Sequence, residues 1–256
     1  MKIKAAIFDV DGTLLDSMYY WRHMYEIYLS GFGKTPKPDL REKLKPLSLR
    51  ESAELFQKEY GIRQSVEQIM AGINKVLEER YFLSIREKPY VREFLEMLQK
   101  NRVKICAATA TDRYLVEAAL KRLNLLPYFS RIYTCTEVGK GKEHPDIYFQ
   151  AMEFLGEAQG ESVVFEDACY AIKTAKNAGF YVVALADETA REDEAEIRKM
   201  ADEYHESFAS VEIEVEGRRM RIGAEKNTAV PGGAEYRNSS AGKQREAHSY
   251  SEGASA

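Results

Sequence analysis

Two carboxylates two residues apart give the strongest chemical signal in the sequence. Asp9 and Asp11 occur in a run of Asp, Val, Asp, Gly and Thr that ends at Thr13. With about one chance in twenty at each fixed position, this pattern arises by accident roughly once in six hundred chains of this length. The run follows an apolar stretch at residues 3–8, which predicts a buried strand. Ligands of parallel sheets bind at the carboxyl ends of strands, where these acids stand.

Two other interpretations of this run are weaker. A calcium-binding loop of the EF-hand type needs glycine at its sixth position and glutamate at its twelfth, where this chain has Leu14 and Tyr20. A solvated turn would explain the Asp-Gly pair. It would not explain the polar side chains that recur at later predicted strand ends and loops.

Two of these later motifs are a threonine and a lysine. Thr109 follows the apolar run at residues 103–108, and Thr111 is its nearest competitor. Lys142 stands in a predicted loop shortly before a Pro-Asp pair that favours a helix start, and Lys140 is its competitor. Each of these motifs is weak when it is taken alone.

An acidic pair completes the pattern. Glu166 and Asp167 follow the short apolar run at residues 163–165, which predicts another strand end. With its four motifs in this order, the chain resembles the haloacid dehalogenase superfamily, in the group whose helical cap is inserted after the first motif. The resemblance covers residues 2–215, and its motif positions favour Thr109 and Lys142 over their competitors.

The resemblance implies a nucleophile and an acid–base group. Asp9 would attack a phosphoryl group and form an aspartyl-phosphate, which divides one difficult step into two. Asp11 would protonate the departing alcohol and then deprotonate the incoming water, which is typically worth about 10²–10⁴ in rate. Because haloacid dehalogenases themselves have no acid at this second position, Asp11 favours phosphoryl transfer over carbon–halogen cleavage.

The resemblance also implies a metal ion and a phosphate site. A carboxylate and a phosphoryl anion repel each other by about 4 kcal/mol per charge pair at roughly 4 Å and an effective dielectric of about 20. Hard oxygen ligands suit Mg²⁺, and the implied ligands are Asp9, Asp167, the backbone carbonyl of Asp11, and Glu166. The implied phosphate-binding residues are Thr109, Lys142 and Gly12.

Short apolar runs alternate with amphipathic helical patterns over most of the chain. This alternation predicts an α/β fold, with a Rossmann-like parallel sheet and helices on both faces. The predicted strands are residues 3–8, 103–108, 131–135, 163–165 and 181–185. The helices predicted between them are residues 89–100, 115–123, 147–155 and 168–178.

The alternation stops between residues 16 and 87, where only helical patterns occur, at 19–29, 49–60 and 64–81. We therefore predict an all-α cap at 16–87, inserted into an α/β core that comprises 1–15 and 88–215. A helical insertion joined by two connections can close over the strand ends as a lid. From Gly217 onward small, polar and basic residues replace periodic apolar ones, so residues 216–256 are predicted to be a disordered tail.

The resemblance leaves two enzyme classes to compare. The first is a Mg²⁺-dependent phosphatase acting on a small phosphorylated metabolite, and the alternative is a phosphosugar mutase of the β-phosphoglucomutase type. Such mutases carry a histidine five residues after the aspartate of the first helix, where this chain has Trp21 after Asp16, with His23 out of register. They also carry a cap arginine, for which Arg50 is the candidate, although a surface arginine at a helix start is an equally good interpretation of this residue. The missing histidine favours the phosphatase, and Arg50 and Trp21 are the candidate substrate contacts in the cap.

Two further classes are disfavoured. A catalytically silent binding protein would be expected to lose Asp9, Asp11 or the acidic pair, and this chain retains all of them. A Schiff-base phosphonatase needs a distinctive cap lysine, and the lysines of the predicted cap show no such pattern.

Composition limits which partners and which cellular location are expected for the protein. The 256 residues include 37 Lys and Arg and 41 Asp and Glu, a formal charge of −4, which argues against nucleic acid or anionic membrane as a partner. No apolar run approaches the roughly 20 residues of a membrane span, and residues 3–8 are too short for a signal peptide. Cys106, Cys135 and Cys169 are odd in number and widely spaced, which is typical of reduced cysteines. We expect a cytoplasmic monomer.

Overall fold

A parallel sheet forms the centre of the molecule in the computed structural model, which describes residues 3–44, 49–215 and 217–221. Its strands are β1 (Ala5–Phe8), β2 (Lys104–Thr109), β3 (Arg131–Thr134), β4 (Ser162–Glu166), β5 (Tyr181–Leu185) and β6 (Glu203–His205). They lie in the order β3-β2-β1-β4-β5-β6. The chain crosses from β3 to β4 on the other side of β1, so the strand order reverses beside β1, the place where open α/β sheets bind ligands.

Helices cover both faces of this sheet. They are α5 (Val91–Lys100), α6 (Arg113–Arg122), α7 (Cys135–Val138), α8 (Asp146–Leu155), α9 (Cys169–Asn177) and α10 (Glu194–Met200). In β1, Ala6 and Phe8 join the apolar cluster that contains α5 and α6, whereas Ala5 and Ile7 join the cluster that contains α8, α9 and α10. Strand β1 is therefore buried on both faces, as central parallel strands are. The predicted fold class is confirmed.

A second group of helices lies between β1 and α5. Its members are α1 (Met18–Ser30), α2 (Leu40–Leu44), α3 (Leu49–Tyr60) and α4 (Val66–Leu83), of which α2 was not predicted. The chain enters this helical segment after Leu15 and leaves it at Glu87, and these two residues pair in an antiparallel bridge. The bridge coincides with the predicted boundaries, although the division into core and cap stays a prediction.

The largest difference from the predicted elements lies near the end of the described chain. Two short strands, β7 (Ile213–Val215) and β8 (Arg218–Met220), form an antiparallel hairpin across the predicted boundary at 216. Gly217, at φ +79°, lies in its turn. Strands of three residues are too short to show a period of two, so the sequence pattern did not reveal them. The rest of the predicted tail, residues 222–256, lies outside the described residues.

No helix within the described ranges is long and apolar enough to cross a membrane.

A cluster of phenylalanine rings lies beside the strand ends. Phe8 and Phe165 stack with their centroids 4.5 Å apart and their planes 7° apart. Phe208 stacks on Phe94 at 4.8 Å and lies 6.0 Å from Phe8. Because Phe8 and Phe165 are each followed directly by an acid of the sequence motifs, this cluster fixes the relative position of two motif-bearing strand ends.

Replacing Phe208 with alanine should destabilise the protein by about 3–5 kcal/mol, because its ring is 1% exposed and its neighbours cannot fill the space. Thermal unfolding measures the effect, with the melting temperature falling by roughly 2–4 °C for each kcal/mol in a chain of this size. Phe154→Ala is the control, since that ring is 47% exposed, and it should cost about 1 kcal/mol or less. Equal melting temperatures for the two variants would contradict this assignment of the core.

Candidate active site

The first and fourth motifs meet at the carboxyl ends of two adjacent strands. Asp9 follows β1 and Asp167 follows β4, and the Asp9 backbone N–H donates to the Phe165 carbonyl at 2.9 Å. Asp9, Glu166 and Asp167 each offer a carboxylate oxygen, and these three atoms lie within 4.8 Å of one another. All three side chains are buried. The sheet thus brings together three acids that are far apart in the sequence.

The lysine of the third motif lies inside this acidic cluster. Lys142, 3% exposed, forms ion pairs with both Asp9 and Glu166. Burial opposes the charge on the Lys142 ammonium, but the two carboxylates outweigh that effect and hold its pKa well above the usual value. Lys140 instead forms a surface ion pair with Asp146 at 2.8 Å. Of the two lysines considered, the fold places Lys142 in the site.

Both oxygens of Glu166 already accept hydrogen bonds. Oε1 accepts from Lys142 and from the Tyr148 hydroxyl, the latter at 3.2 Å, whereas Oε2 accepts from the backbone N–H groups of Asp167 at 3.0 Å and Ala168 at 3.2 Å. These contacts fix the carboxylate and, through it, the Lys142 ammonium. Tyr148 was not predicted, because its position in α8 has the same helical period as the ordinary core residues of that helix.

Gly12 makes room for an acid of the fourth motif. It adopts φ +90°, and a Cβ atom there would lie 2.2 Å from Asp167 Oδ2, so any other residue would displace that carboxylate. Thr13 Oγ1 donates to Asp167 Oδ1 at 2.9 Å. The need for glycine in the first motif therefore comes from Asp167, and the predicted contact of Gly12 with phosphate stays a prediction.

Hydroxyl groups from separate parts of the chain hold Asp11. Ser17 Oγ donates to Asp11 Oδ1 at 2.6 Å, and the Tyr81 hydroxyl donates to the same oxygen. Thr111 Oγ1 donates to Oδ2 at 2.6 Å. The Tyr81 oxygen in turn accepts from Trp21 Nε1 at 2.7 Å. These contacts hold the Asp11 carboxylate outside the cluster of three acids. The predicted contact of the Asp11 backbone carbonyl with a metal ion stays a prediction.

Tyr81 is the main site residue that the sequence did not reveal. It lies in α4, is fully buried, and its pKa is raised well above the usual value, first by burial and then by the charge of Asp11. The hydroxyl therefore remains a donor at ordinary pH. Tyr81 ends a predicted helix and is one of 16 tyrosines in the chain, so residue type and spacing did not distinguish it.

Thr109 ends β2 as predicted. It is fully buried, and its Oγ1 accepts from the Thr111 backbone N–H at 3.0 Å. Thr111 lines the cavity over the acids together with Ala110. The role of Thr109 in binding phosphate stays a prediction, and Thr111 is the threonine that contacts Asp11.

An open cavity of about 220 Å³ lies over these groups. Beside the charged residues, its walls are Met18, Trp21, Ala110, Thr111, Ala168 and Tyr170. Trp21 thus lies where a substrate contact was predicted. Arg50 is the other candidate from the helical segment, and it forms a surface ion pair with Glu67 at 3.2 Å. It is not among the described residues that line this cavity.

The chemistry of the donor set fits a hard divalent cation. Burial, followed by repulsion from Glu166, raises the pKa of Asp9 to about 8. Burial, followed by repulsion from Asp9, holds the pKa of Asp167 well above its usual value. A bound cation would relieve both effects, and carboxylate oxygens are the ligands that Mg²⁺ prefers. Asp9 and Asp167 would hold it, since the oxygens of Glu166 accept hydrogen bonds from other groups.

The sequence pattern of the haloacid dehalogenase-like hydrolases matches residues 6–185. That match spans all four motifs and the strands that carry them. The chain therefore belongs to this family of hydrolases, and the resemblance drawn from the motifs is confirmed.

Named relatives cover most of the chain. It is 30% identical over 177 residues to the phosphorylated carbohydrates phosphatase of Thermotoga maritima, covering 69% of this chain and 82% of the relative. It is 26% identical over 200 residues to the β-phosphoglucomutase of Bacillus subtilis, covering 72% and 83%. The crystal structure of CbbY from Rhodobacter sphaeroides in complex with phosphate shares the fold, with a TM-score of 0.67 and 22% identity over 81% of this chain and 96% of that one.

Mg²⁺ should raise the melting temperature of the protein after chelator treatment, because an ion that binds only the folded state stabilises it, by about 2.7 kcal/mol at a hundred times its Kd. Asp167→Asn removes a ligand charge and should abolish most of this shift. Asp146→Asn alters an exposed acid outside the cluster and should retain the shift. Thermal unfolding against Mg²⁺ concentration is the measurement, and equal shifts for both variants would contradict a metal site at Asp167.

Proposed function

We propose that this protein is a Mg²⁺-dependent phosphatase, which hydrolyses a small phosphorylated metabolite through an aspartyl-phosphate on Asp9. The observation that carries the proposal is the position of Asp9, buried at a strand end between Lys142 and Asp167, with Asp11 beside the same cavity. Membership of the hydrolase family and the phosphatases among the named relatives support it.

The residues of the site divide the chemistry between them. An Asp9 oxygen forms a bond to phosphorus while the bond from phosphorus to the leaving oxygen breaks, and Asp11 supplies the proton that this oxygen takes. Lys142 provides positive charge beside the phosphoryl oxygens. A bound Mg²⁺ would screen the charge of the phosphoryl group from the attacking carboxylate. Water then attacks the aspartyl-phosphate, with Asp11 accepting the proton.

A phosphosugar mutase is the second candidate, because one of the named relatives is a β-phosphoglucomutase. A mutase must hold a second phosphate at a distance from the reacting one, and an arginine in the cap suits that task. In this chain Arg50 pairs with Glu67 at the surface, and Trp21 lies at the cavity wall. These positions favour the phosphatase.

A phosphate-release screen distinguishes the candidates. It should include phosphorylated sugars, phosphoglycolate, nucleotides and phosphorylated aldehydes, with glucose phosphates tested for isomerisation as well as for release of phosphate. Release without isomerisation supports the phosphatase, whereas isomerisation with little release supports the mutase. The monomeric state and cytoplasmic location expected from the sequence stay predictions.

Asp9→Asn should abolish turnover of 4-nitrophenyl phosphate, because an amide is a far poorer nucleophile than a carboxylate and forms no aspartyl-phosphate. The release of nitrophenolate, followed by absorbance, measures the loss. Asp146→Asn serves as the matched control, since it makes the same chemical change outside the site. Residual activity above a few per cent in the Asp9 variant would contradict the assignment of Asp9 as the nucleophile.

Asp11→Asn should slow turnover by about 10²–10⁴, because both proton transfers lose their donor or acceptor. With a good leaving group the first step persists longer than the second, so phosphorylated Asp9 should accumulate. Intact-protein mass spectrometry after rapid acid quenching should show a gain of one phosphoryl group. Wild-type kinetics without this species would reject the acid–base role.

A further inference from the structure

We infer that Tyr81 is a positioning residue, which anchors Oδ1 of Asp11 so that the proton exchanged with substrate is carried on Oδ2. The inference rests on the proposed function and assigns to the helical segment a part in its acid–base chemistry. It starts from the chain of hydrogen bonds that runs from Trp21 through Tyr81 to Asp11.

The direction of the Tyr81 hydroxyl is fixed by its neighbour. An indole N–H can only donate, so the bond from Trp21 Nε1 occupies the Tyr81 oxygen as an acceptor. Tyr81 is fully buried and removed from bulk water. Its proton therefore points away from Trp21, and the bond that the Tyr81 hydroxyl donates goes to Asp11 Oδ1.

The two oxygens of Asp11 differ in their surroundings. Oδ1 accepts from both Ser17 and Tyr81. Oδ2 accepts from the hydroxyl of Thr111, a residue of the cavity wall, and this hydroxyl is able to turn from donor to acceptor when the carboxyl group is protonated. This asymmetry makes Oδ2 the oxygen that can gain and lose a proton without breaking the anchor.

Tyr81 is itself held in place by the core. The Arg122 guanidinium in α6 donates to the backbone carbonyl of Tyr81 at 3.3 Å and also to the carbonyl of Ile85. The adjacent Phe82 ring contacts Tyr114 of α6 edge-on, with centroids 6.4 Å apart. The end of α4 is thus docked on the core, and the anchor on Asp11 exists while that docking holds.

Each half of the reaction then uses the same oxygen. As the bond from phosphorus to the leaving oxygen breaks and the bond to Asp9 forms, the leaving oxygen takes the proton of Oδ2. As water forms its bond to phosphorus and the bond to Asp9 breaks, the proton of water goes to Oδ2. Without the Tyr81 hydroxyl, only Ser17 and Thr111 of these three donors still hold the carboxyl group, and small errors in the position of a catalytic group are costly.

The leaving group provides the test, because a nitrophenolate departs without a proton whereas an alkoxide needs one. The variant is Tyr81→Phe, and the quantity is kcat/KM, which reports the steps up to departure of the alcohol. For the alkyl phosphate that is hydrolysed best in the screen, we expect kcat/KM to fall by about 10- to 100-fold. For 4-nitrophenyl phosphate we expect kcat/KM to change by no more than about threefold. A loss of general stability would lower both values together.

Two further variants separate positioning from structure. Tyr114→Phe is the matched control, since it removes a hydroxyl that bonds Glu78 at 2.9 Å across the same contact of α4 with α6, and it should leave both kcat/KM values unchanged. In the Asp11→Asn background, adding Tyr81→Phe should change the alkyl value by no more than about twofold, because a residue that acts through Asp11 has nothing left to position.

The assignment would be overturned by equal losses of kcat/KM for the two substrates, by no loss at all, or by losses that multiply in the double variant. If thermal unfolding shows that Tyr81→Phe does not fold, Trp21→Phe carries the test, because it frees the Tyr81 hydroxyl and should lower the alkyl value relative to the aryl value. In the Asp11→Asn background the same change should leave that ratio unaltered, whereas an effect of the changed cavity wall on substrate binding would persist there. A wild-type protein that hydrolyses neither ester refutes the proposed function itself. Hydrolysis with an unchanged ratio in the variants refutes only the role of Tyr81.

Discussion

Burial of three carboxylates around one ammonium group is the constraint on which the rest of the site depends. Asp9, Glu166 and Asp167 are removed from water, and Lys142 supplies positive charge among them. Burial and mutual repulsion raise the pKa of Asp9 and Asp167, because the charged form of each carboxylate is costly inside the folded protein. A cation bound at Asp9 and Asp167 would remove much of that cost, and the same excess of negative charge would give the ion its affinity. The cost of charge and the proposed metal binding thus follow from one arrangement.

The fold of the backbone brings these charged groups together. Parallel strands bring residues 9, 109 and 166 to one edge of the sheet, and the stacked rings of Phe8 and Phe165 hold two of these strand ends in register. Gly12 then allows the loop after β1 to approach the Asp167 carboxylate closely. For this reason the sequence predicted the central fold and the acids well, since strand ends, glycine and residue type are local properties. The short strands β6, β7 and β8 were not predicted, because a strand of three residues is too short to show a period of two.

Side chains whose importance comes from a distant partner could not be predicted in the same way. Tyr81 has the sequence context of any buried helical tyrosine, and only the packing of α4 against α6 brings it to Asp11. Thr109 and Thr111 differ by two residues, and the turn after β2 decides which of them faces the cavity. Arg50 has the residue type that a distal phosphate would need, yet its guanidinium meets Glu67 at the surface. For Tyr81, a contact across 70 residues of sequence, and not a local pattern, determines where the side chain acts.

The helical segment therefore contributes more than a cover over the strand ends. Trp21 in α1 forms part of the cavity wall and donates its N–H to Tyr81, so one side chain links the shape of the cavity to the orientation of Asp11, the proposed acid–base group. If the segment moved away from the core, Asp11 would lose the Tyr81 hydroxyl at the same time as the cavity opened to water. Proton transfer would then be efficient while the wall and the anchor are both in place, which limits the attack of stray water on a phosphorylated Asp9 in an open site.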